Sequence, residues 1–211
     1  DLLYGIPGQT AADLEADIES ALSLAPEHVS YYELEAKPGT RFTHAHGEEL
    51  ARQADAMEGY FERVVEALVG TGYRWYETAN FCRAGREARL NLCYWLGRDY
   101  LGVGIGAVST LGLERRRNAP KLAGYIAALA RGQAPPREVE TLDEATKRRE
   151  RLMLGLRLDR PLPLASVGGA VEPGALARAE RLGLAERRDD GLVLTERGRF
   201  LGGAVTAELM A

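Results

Sequence analysis

Cysteine and histidine are scarce in this chain. Its 211 residues include two cysteines and three histidines. Two cysteines cannot form a disulfide framework, so a reducing, cytoplasmic setting is expected. Long apolar runs are missing too, and none approaches the ~20 residues of a membrane span. Positive charge is not in excess: 27 Lys and Arg stand against 31 Asp and Glu, a formal net charge of −4. That balance argues against a chain built to coat nucleic acid. The basic runs Arg115-Arg116-Arg117 and Lys147-Arg148-Arg149 read as solvated helix or loop faces. His44 and His46 share a face if their segment is extended, but no third ligand is near, so they read as a solvated loop rather than a metal clamp. His28 precedes a strand and reads as a satisfied edge residue. What is present is ordinary globular material, 45% hydrophobic and 27% charged, enough for a real core.

The opening Asp1-Leu2-Leu3-Tyr4-Gly5-Ile6-Pro7-Gly8-Gln9-Thr10 is the most informative stretch. An apolar strand over 2–6 ends in a Pro-Gly break. Thr10 is placed as a helix N-cap with Asp13 completing a carboxylate form of the capping box. The helix that follows carries Leu14, Ile18, Ala21 and Leu22 on one face. A second strand is expected over 29–34. Strand, helix and strand make a right-handed βαβ unit, hence a parallel pair whose C-terminal edge is the expected ligand face. Gly5 and Gly8 fall at that edge, where a missing Cβ lets the backbone approach a bound molecule. The chain starts in mid-strand with Asp rather than Met, and it reads as a piece of something longer.

Further on, a long amphipathic helix is expected over 47–69, with Leu50, Ala54, Met57, Phe61, Val64, Val65 and Leu68 inward. Residues 73–78 read as a strand, 80–97 as a loop with some helix, and the Gly-alternating 100–109 as a strand or strand edge. A short helix follows over 120–131, then a Pro-containing break at 132–137. Beyond it Thr141 and Glu144 suggest a capping box for a helix over 142–157. A helix at 173–182, a hairpin turning at Asp189-Asp190-Gly191, and a last helix capped by Thr195 complete a winged-helix-like unit. The expected domains are 1–137 and 138–211.

Several stretches resemble the coproporphyrinogen oxidase-like radical S-adenosylmethionine (SAM) proteins, a family of oxygen-independent coproporphyrinogen III oxidases and related haem chaperones. They are DLLYGIPGQT (1–10), YYELEAKPGT (31–40), GYRWYETANFCRAG (72–85), NLCYW (91–95), DYLGVGIGAVS (99–109), RLMLGLRL (151–158) and GLVLTERGRFL (191–201). They occur in the family's order across nearly the whole chain. The resemblance implies an α/β fold: the C-terminal part of an incomplete (β/α)6 radical-SAM barrel, followed by the small winged-helix-like α+β accessory domain. It also implies a [4Fe-4S] cluster and SAM in a full-length member. The family's CxxxCxxC motif has no equivalent here, since ten residues separate Cys82 from Cys93. Both cysteines read as small buried hydrophobes.

By the same resemblance Asp1 falls in the SAM-binding region, Tyr4, Gly5 and Pro7 shape that strand edge, and Glu35 matches a SAM contact that a one-residue shift would give to Ala36. Val108 matches a second SAM-adjacent position, where the chaperone branch commonly reads Gly-Ala-His-Ser. That branch also carries His-Asn-x-x-Tyr-Trp as its proposed haem-binding stretch. This chain has Leu90-Asn91-Leu92-Cys93-Tyr94-Trp95, so Asn91, Tyr94 and Trp95 are retained as possible haem contacts while the imidazole is lost. Leu90 cannot ligate iron. The resemblance leaves oxidase and chaperone both open, with the motif wording favouring the chaperone branch. Porphyrin or haem is the implied ligand, and a haem-accepting protein the implied partner.

A second reading comes from a different class. Residues 138–211 could act as a winged-helix module on nucleic acid or protein, with 173–182 as recognition helix and Arg178, Arg181, Arg187 and Arg188 as its patch. Glu172, Glu180 and Glu186 dilute that patch.

Overall fold

The computed structural model describes residues 1–210, which divide into two compact units, 1–88 and 89–210. The first opens with strand β1 (Leu2–Tyr4), helix α1 (Ala11–Ser23) and strand β2 (His28–Glu33), and β1 pairs β2 in parallel as expected. Thr10 caps α1, and the Thr10 hydroxyl and the Asp13 carboxylate form the reciprocal box. Leu14 and Ile18 are the buried residues of α1.

The expected single helix over 47–69 is corrected. It begins earlier and is interrupted, as α2 (Arg41–Gln53), a 3-10 turn (Ala54–Ala56) and α3 (Met57–Gly70). Thr40 caps the early start by accepting from the Thr43 N–H. His44 and His46 therefore lie on a helix rather than an extended loop, where residues two apart do not share a face. Val64, Val65 and Leu68 are the buried stripe of α3.

Strand β3 (Arg74–Glu77) and strand β4 (Asn80–Cys82) form a hairpin, so part of the expected 80–97 loop is strand. Because β4 pairs antiparallel with β2, the sheet order is β1-β2-β4-β3 with one parallel pairing. The unit is thus a mixed α/β sheet, and no closed barrel is formed. Tyr4, Phe61, Trp75 and Phe81 interlock in its core through successive ring contacts of 5.7–6.2 Å.

The second unit starts with helix α4 (Arg89–Trp95). Residues 101–107 are irregular rather than the expected strand, because Gly104 and Gly106 adopt positive φ. Strand β5 (Val108–Leu111) and strand β6 (Glu114–Asn118) form a hairpin. Helix α5 (Leu122–Ala130) precedes strand β7 (Arg137–Thr141), which pairs with β6. Arg115-Arg116-Arg117 thus lies on the central strand of a three-stranded sheet, not on a helix or loop. Arg115 forks onto Glu150 at 2.9 and 2.7 Å.

Helix α6 (Glu144–Gly155) is capped by Asp143, which accepts from the Thr146 N–H at 2.7 Å; the expected Thr141 cap is corrected, because Thr141 still belongs to β7. Strand β8 (Leu162–Pro163), helix α7 (Pro173–Arg181), strand β9 (Ala185–Arg188) and strand β10 (Gly191–Leu194) follow. Asp189 takes positive φ in the β9–β10 turn. Thr195 caps helix α8 (Glu196–Phe200), and a break before Gly202 starts helix α9 (Gly202–Leu209) where one final helix is expected. The core here is Leu152, Leu156, Leu162, Val167, Leu176, Leu192 and Leu209 between sheet β8-β10-β9 and its helices. The boundary expected near 138 falls inside this second unit, in β7 just before α6.

Candidate functional site

In the first unit the sequence points to the C-terminal edge of β1 and β2. Tyr4 and Glu33 are register partners, and the Leu34 N–H donates to the Tyr4 carbonyl at 2.9 Å, so Gly5 and Glu35 follow the ends of neighbouring parallel strands. Asp1 does not join them. It precedes Leu2, at the opposite end of β1 and about 13 Å of strand away at ~3.3 Å per residue. The expectation that Asp1 and Gly5 share one edge is corrected. Asp1 instead borders a cavity of about 370 Å³ with Asp17, Ser20 and His28.

Gly5 has φ +75, reason enough for glycine. Its N–H donates to Gln9 Oε1 at 2.8 Å, and an added Cβ would meet the Met57 sulfur at 2.7 Å. The Gln9 carbonyl in turn accepts from Gln53 Nε2 and the Tyr60 hydroxyl, both at 2.9 Å. The 5–9 turn is therefore held under α2 and α3 by Gln53, Met57 and Tyr60. Sequence reasoning missed Gln53 and Tyr60, and placed Met57 only on the inward stripe of the amphipathic 47–69 segment. Tyr4 is buried against Phe61, and burial, then the nearby Glu33 charge, pushes its phenol well above the usual tyrosine range. Glu35 is exposed, while Ala36 is half-buried.

A second polar group went unread. Glu77 is fully buried; its Oε2 accepts from the Ala79 N–H at 3.0 Å and from Asn80 Nδ2 at 2.6 Å, and Asn80 Oδ1 accepts from the Ser30 hydroxyl at 2.8 Å. This network locks the β3–β4 turn to β2. His28 is satisfied, as expected of an edge residue: Nε2 lies 2.7 Å from the Tyr76 hydroxyl, which also accepts from the Ala88 N–H. Burial pushes the Tyr76 phenol up to about 12, and its hydroxyl shares one hydrogen bond with the His28 ring, the donor being set by the imidazole tautomer.

In the second unit Asn91, Tyr94 and Trp95 lie on α4. Leu90 and Tyr94, four residues apart, share its exposed face at 63% and 38% exposure, while Asn91 and Trp95 are half-buried. Tyr94 meets Tyr100 edge-on at 4.7 Å. The Trp95 carbonyl accepts from Arg151 Nη1 at 3.1 Å. Gly97, at φ +63, ends the helix, with its N–H donating to the Tyr94 carbonyl. Val108 opens β5 and is half-buried. Its carbonyl oxygen lies 2.2 Å from where a Cβ on Gly102 would be, so two backbones touch there.

The chain's own residues do not fit an iron–sulfur cluster. Cys82 is fully buried in β4 and Cys93 lies on α4 in the other unit, and no group of three or more His, Cys, Asp or Glu suited to a metal occurs among the described residues. For SAM, the edge supplies the exposed Glu35 carboxylate, but the N–H and open face of Gly5 are already taken by Gln9 and Met57. The arginine patch expected of a nucleic-acid reader is largely neutralised: Arg178 pairs with Glu208, Arg187 with Glu180 and Arg188 with Glu186. No helix among the described residues is long and apolar enough to cross a membrane.

A family model described as the HemN C-terminal domain matches residues 142–201. The chain is 36% identical over 215 residues to the heme chaperone HemW of Mycobacterium tuberculosis, covering 100% of this chain and 54% of that protein. It is 32% identical to heme chaperone HemW of Bacillus subtilis, covering 97% and 56%. The fold matches the Escherichia coli coproporphyrinogen III oxidase HemN, described as a radical SAM enzyme, with a TM-score of 0.71 at 20% identity, over 99% of this chain and 53% of that one. The chain spans about half the length of the curated relatives it matches. Both the matched C-terminal domain and the likeness to heme chaperones along the length of this chain lead to one assignment: the chain belongs to the HemN/HemW family.

Proposed function

We propose that this chain is the C-terminal part of a radical SAM protein of haem metabolism, of the chaperone rather than the oxidase kind. The observation that carries the reading is its identity to heme chaperones along its whole length; the oxidase likeness, at 20% identity, speaks for the fold alone. In this reading residues 1–137 belong to an incomplete (β/α)6 barrel and its extension, and 138–211 form the accessory domain. SAM and the [4Fe-4S] cluster belong to the full-length, cytoplasmic protein, with the cluster cysteines outside this chain. SAM would supply radical or binding chemistry there; Glu35, Tyr4 and Gly5 shape one part of its surroundings and Asp1 a more distant one.

Haem, by this reading, lies against the exposed face of α4. Tyr94 offers an aromatic surface with Leu90 beside it, while Asn91 and Trp95 support that face from within. Aromatic stacking would hold the macrocycle without an axial imidazole, so affinity is weak and handover to an accepting protein is easy. Titration of the chain with haemin, followed at the Soret band, tests this. Saturable binding weakened by Tyr94→Ala supports it; binding unchanged by Tyr94→Ala removes α4 as the surface.

A further inference from the structure

The basic run Lys147-Arg148-Arg149 has no part in the haem reading, and its surroundings are unusual. Arg148 Nη1 reaches the Gly168 carbonyl at 3.5 Å, and Arg149 Nη2 reaches the Thr146 hydroxyl at 3.3 Å. Each guanidinium has five N–H donors and here meets one distant neutral acceptor. Neither has a carboxylate within 4.0 Å among the described residues. The same helix neutralises arginine elsewhere, since its Glu150 takes both forks of Arg115.

Opposite the arginines is a type II turn. Gly168 has φ −51 and ψ 128, Gly169 has φ +79, and the Ala170 N–H closes the turn on the Val167 carbonyl at 2.9 Å. The N–H groups of Gly168 and Gly169 have no acceptor among the described residues. No atom lies within 4 Å of where a Cβ on either glycine would be, so the turn stands open. Arg148, Arg149, Gly168 and Gly169, with Ala145 and Ala170, line a cavity of about 90 Å³. One acidic group bears on it: the Asp143 carboxylate feels the Arg149 charge, but it is already engaged by the Thr146 N–H as the cap of α6.

We propose that this cavity is a binding site for a small oxyanion, a carboxylate or phosphoryl group carried by a ligand or partner. Two guanidiniums without counter-ions supply charge and forked donors. The open Gly-Gly turn supplies backbone donors at short range, as anion-binding turns do. The site holds whether or not haem is the cargo of α4.

The test is titration of the 15N-labelled 211-residue chain with inorganic phosphate and, separately, with sodium propionate, at constant ionic strength. At least one should shift the Gly168 and Gly169 amide resonances saturably. A phosphate-only response assigns a phosphoryl source, and a propionate-only response a carboxylate. Arg148→Gln with Arg149→Gln should lower the affinity at least tenfold, while Arg131→Gln, on α5's far end, should leave it unchanged. The thermal midpoint of the double variant checks that it is folded. No saturable shift at these glycines, or equal binding by the double variant and wild type, overturns the proposal.

Discussion

Arg151, on α6, holds the main-chain carbonyl of Trp95 at the end of α4, with Nη1 and oxygen 3.1 Å apart. The guanidinium is half-buried, and burial alone lowers its pKa below the usual arginine value. Its stem also runs along the helix-ending Gly97, whose absent Cβ would be 3.2 Å from the Arg151 Cδ. A side chain from one helix thus satisfies an orphan carbonyl at the end of another. Arg151→Met keeps the apolar stem and removes the bond. It should destabilise the second unit by about 1–3 kcal/mol, measured by urea unfolding, with an earlier midpoint for Trp95 fluorescence in a Trp75→Phe background. An unchanged midpoint would show that α4 is held by packing alone.

Gly5→Ala should destabilise the first unit by about 1–3 kcal/mol through its positive φ. A steric part comes in addition, because Met57 occupies the space a methyl group needs. Met57→Ala should recover the steric part and leave the backbone part. Thermal melts of both singles and the double variant separate the two; full recovery in the double would show that φ costs nothing here.

Gly102→Ala tests the contact beneath Val108. The clash there is with backbone, not with the far end of a flexible side chain, so relief requires moving the loop. A loss of roughly 1–3 kcal/mol is expected, as for overpacked sites. The Gly102 N–H bond to the Ser109 hydroxyl, 2.9 Å long, should break with it. Hydrogen exchange at residues 102 and 109 reads this directly; unchanged protection would contradict it.

The pH response of the first unit should follow His28. Burial lowers its pKa from 6.5. The unfolded chain therefore binds the proton more tightly than the folded one. The stabilisation is complete above about pH 6.5 and is lost as pH falls below it. His28→Gln, which stays neutral, should flatten the stability profile between pH 7 and 5. A wild-type profile that is flat across this range would mean the imidazole charges without cost.

The local rules were readable where one residue type decides the outcome. Thr10 with Asp13, the βαβ start and the Asp189 turn all follow from short-range chemistry. What could not be read depends on partners far along the chain. β4 is a strand because Asn80, Phe81 and Cys82 pair with Ser30, Val29 and His28. Arg115 and Arg116 are strand residues because β5 and β7 flank them, and charge alone gives no hint of that. Asp143 displaces Thr141 as a cap since β7 pairing runs on to Thr141. At the site, Gly102 lies against the Val108 backbone, while positive φ at Gly104 and Gly106 made a loop of the strand expected over 100–109. The separation of Asp1 from Gly5 needed only strand direction, which a motif match does not carry.

The central claim is that α4 presents a haem-facing surface that lacks its imidazole. Leu90 is 63% exposed and one turn before Tyr94, so a histidine there would be free to reach iron. Soret titrations of wild type, Leu90→His and Cys93→Ala measure it most directly. The account predicts weak wild-type binding insensitive to Cys93→Ala, and at least tenfold tighter binding with an imidazole-type spectrum for Leu90→His. Equal affinities for wild type and Leu90→His would contradict it, as would tight wild-type binding lost in Cys93→Ala, which would make the thiolate the ligand.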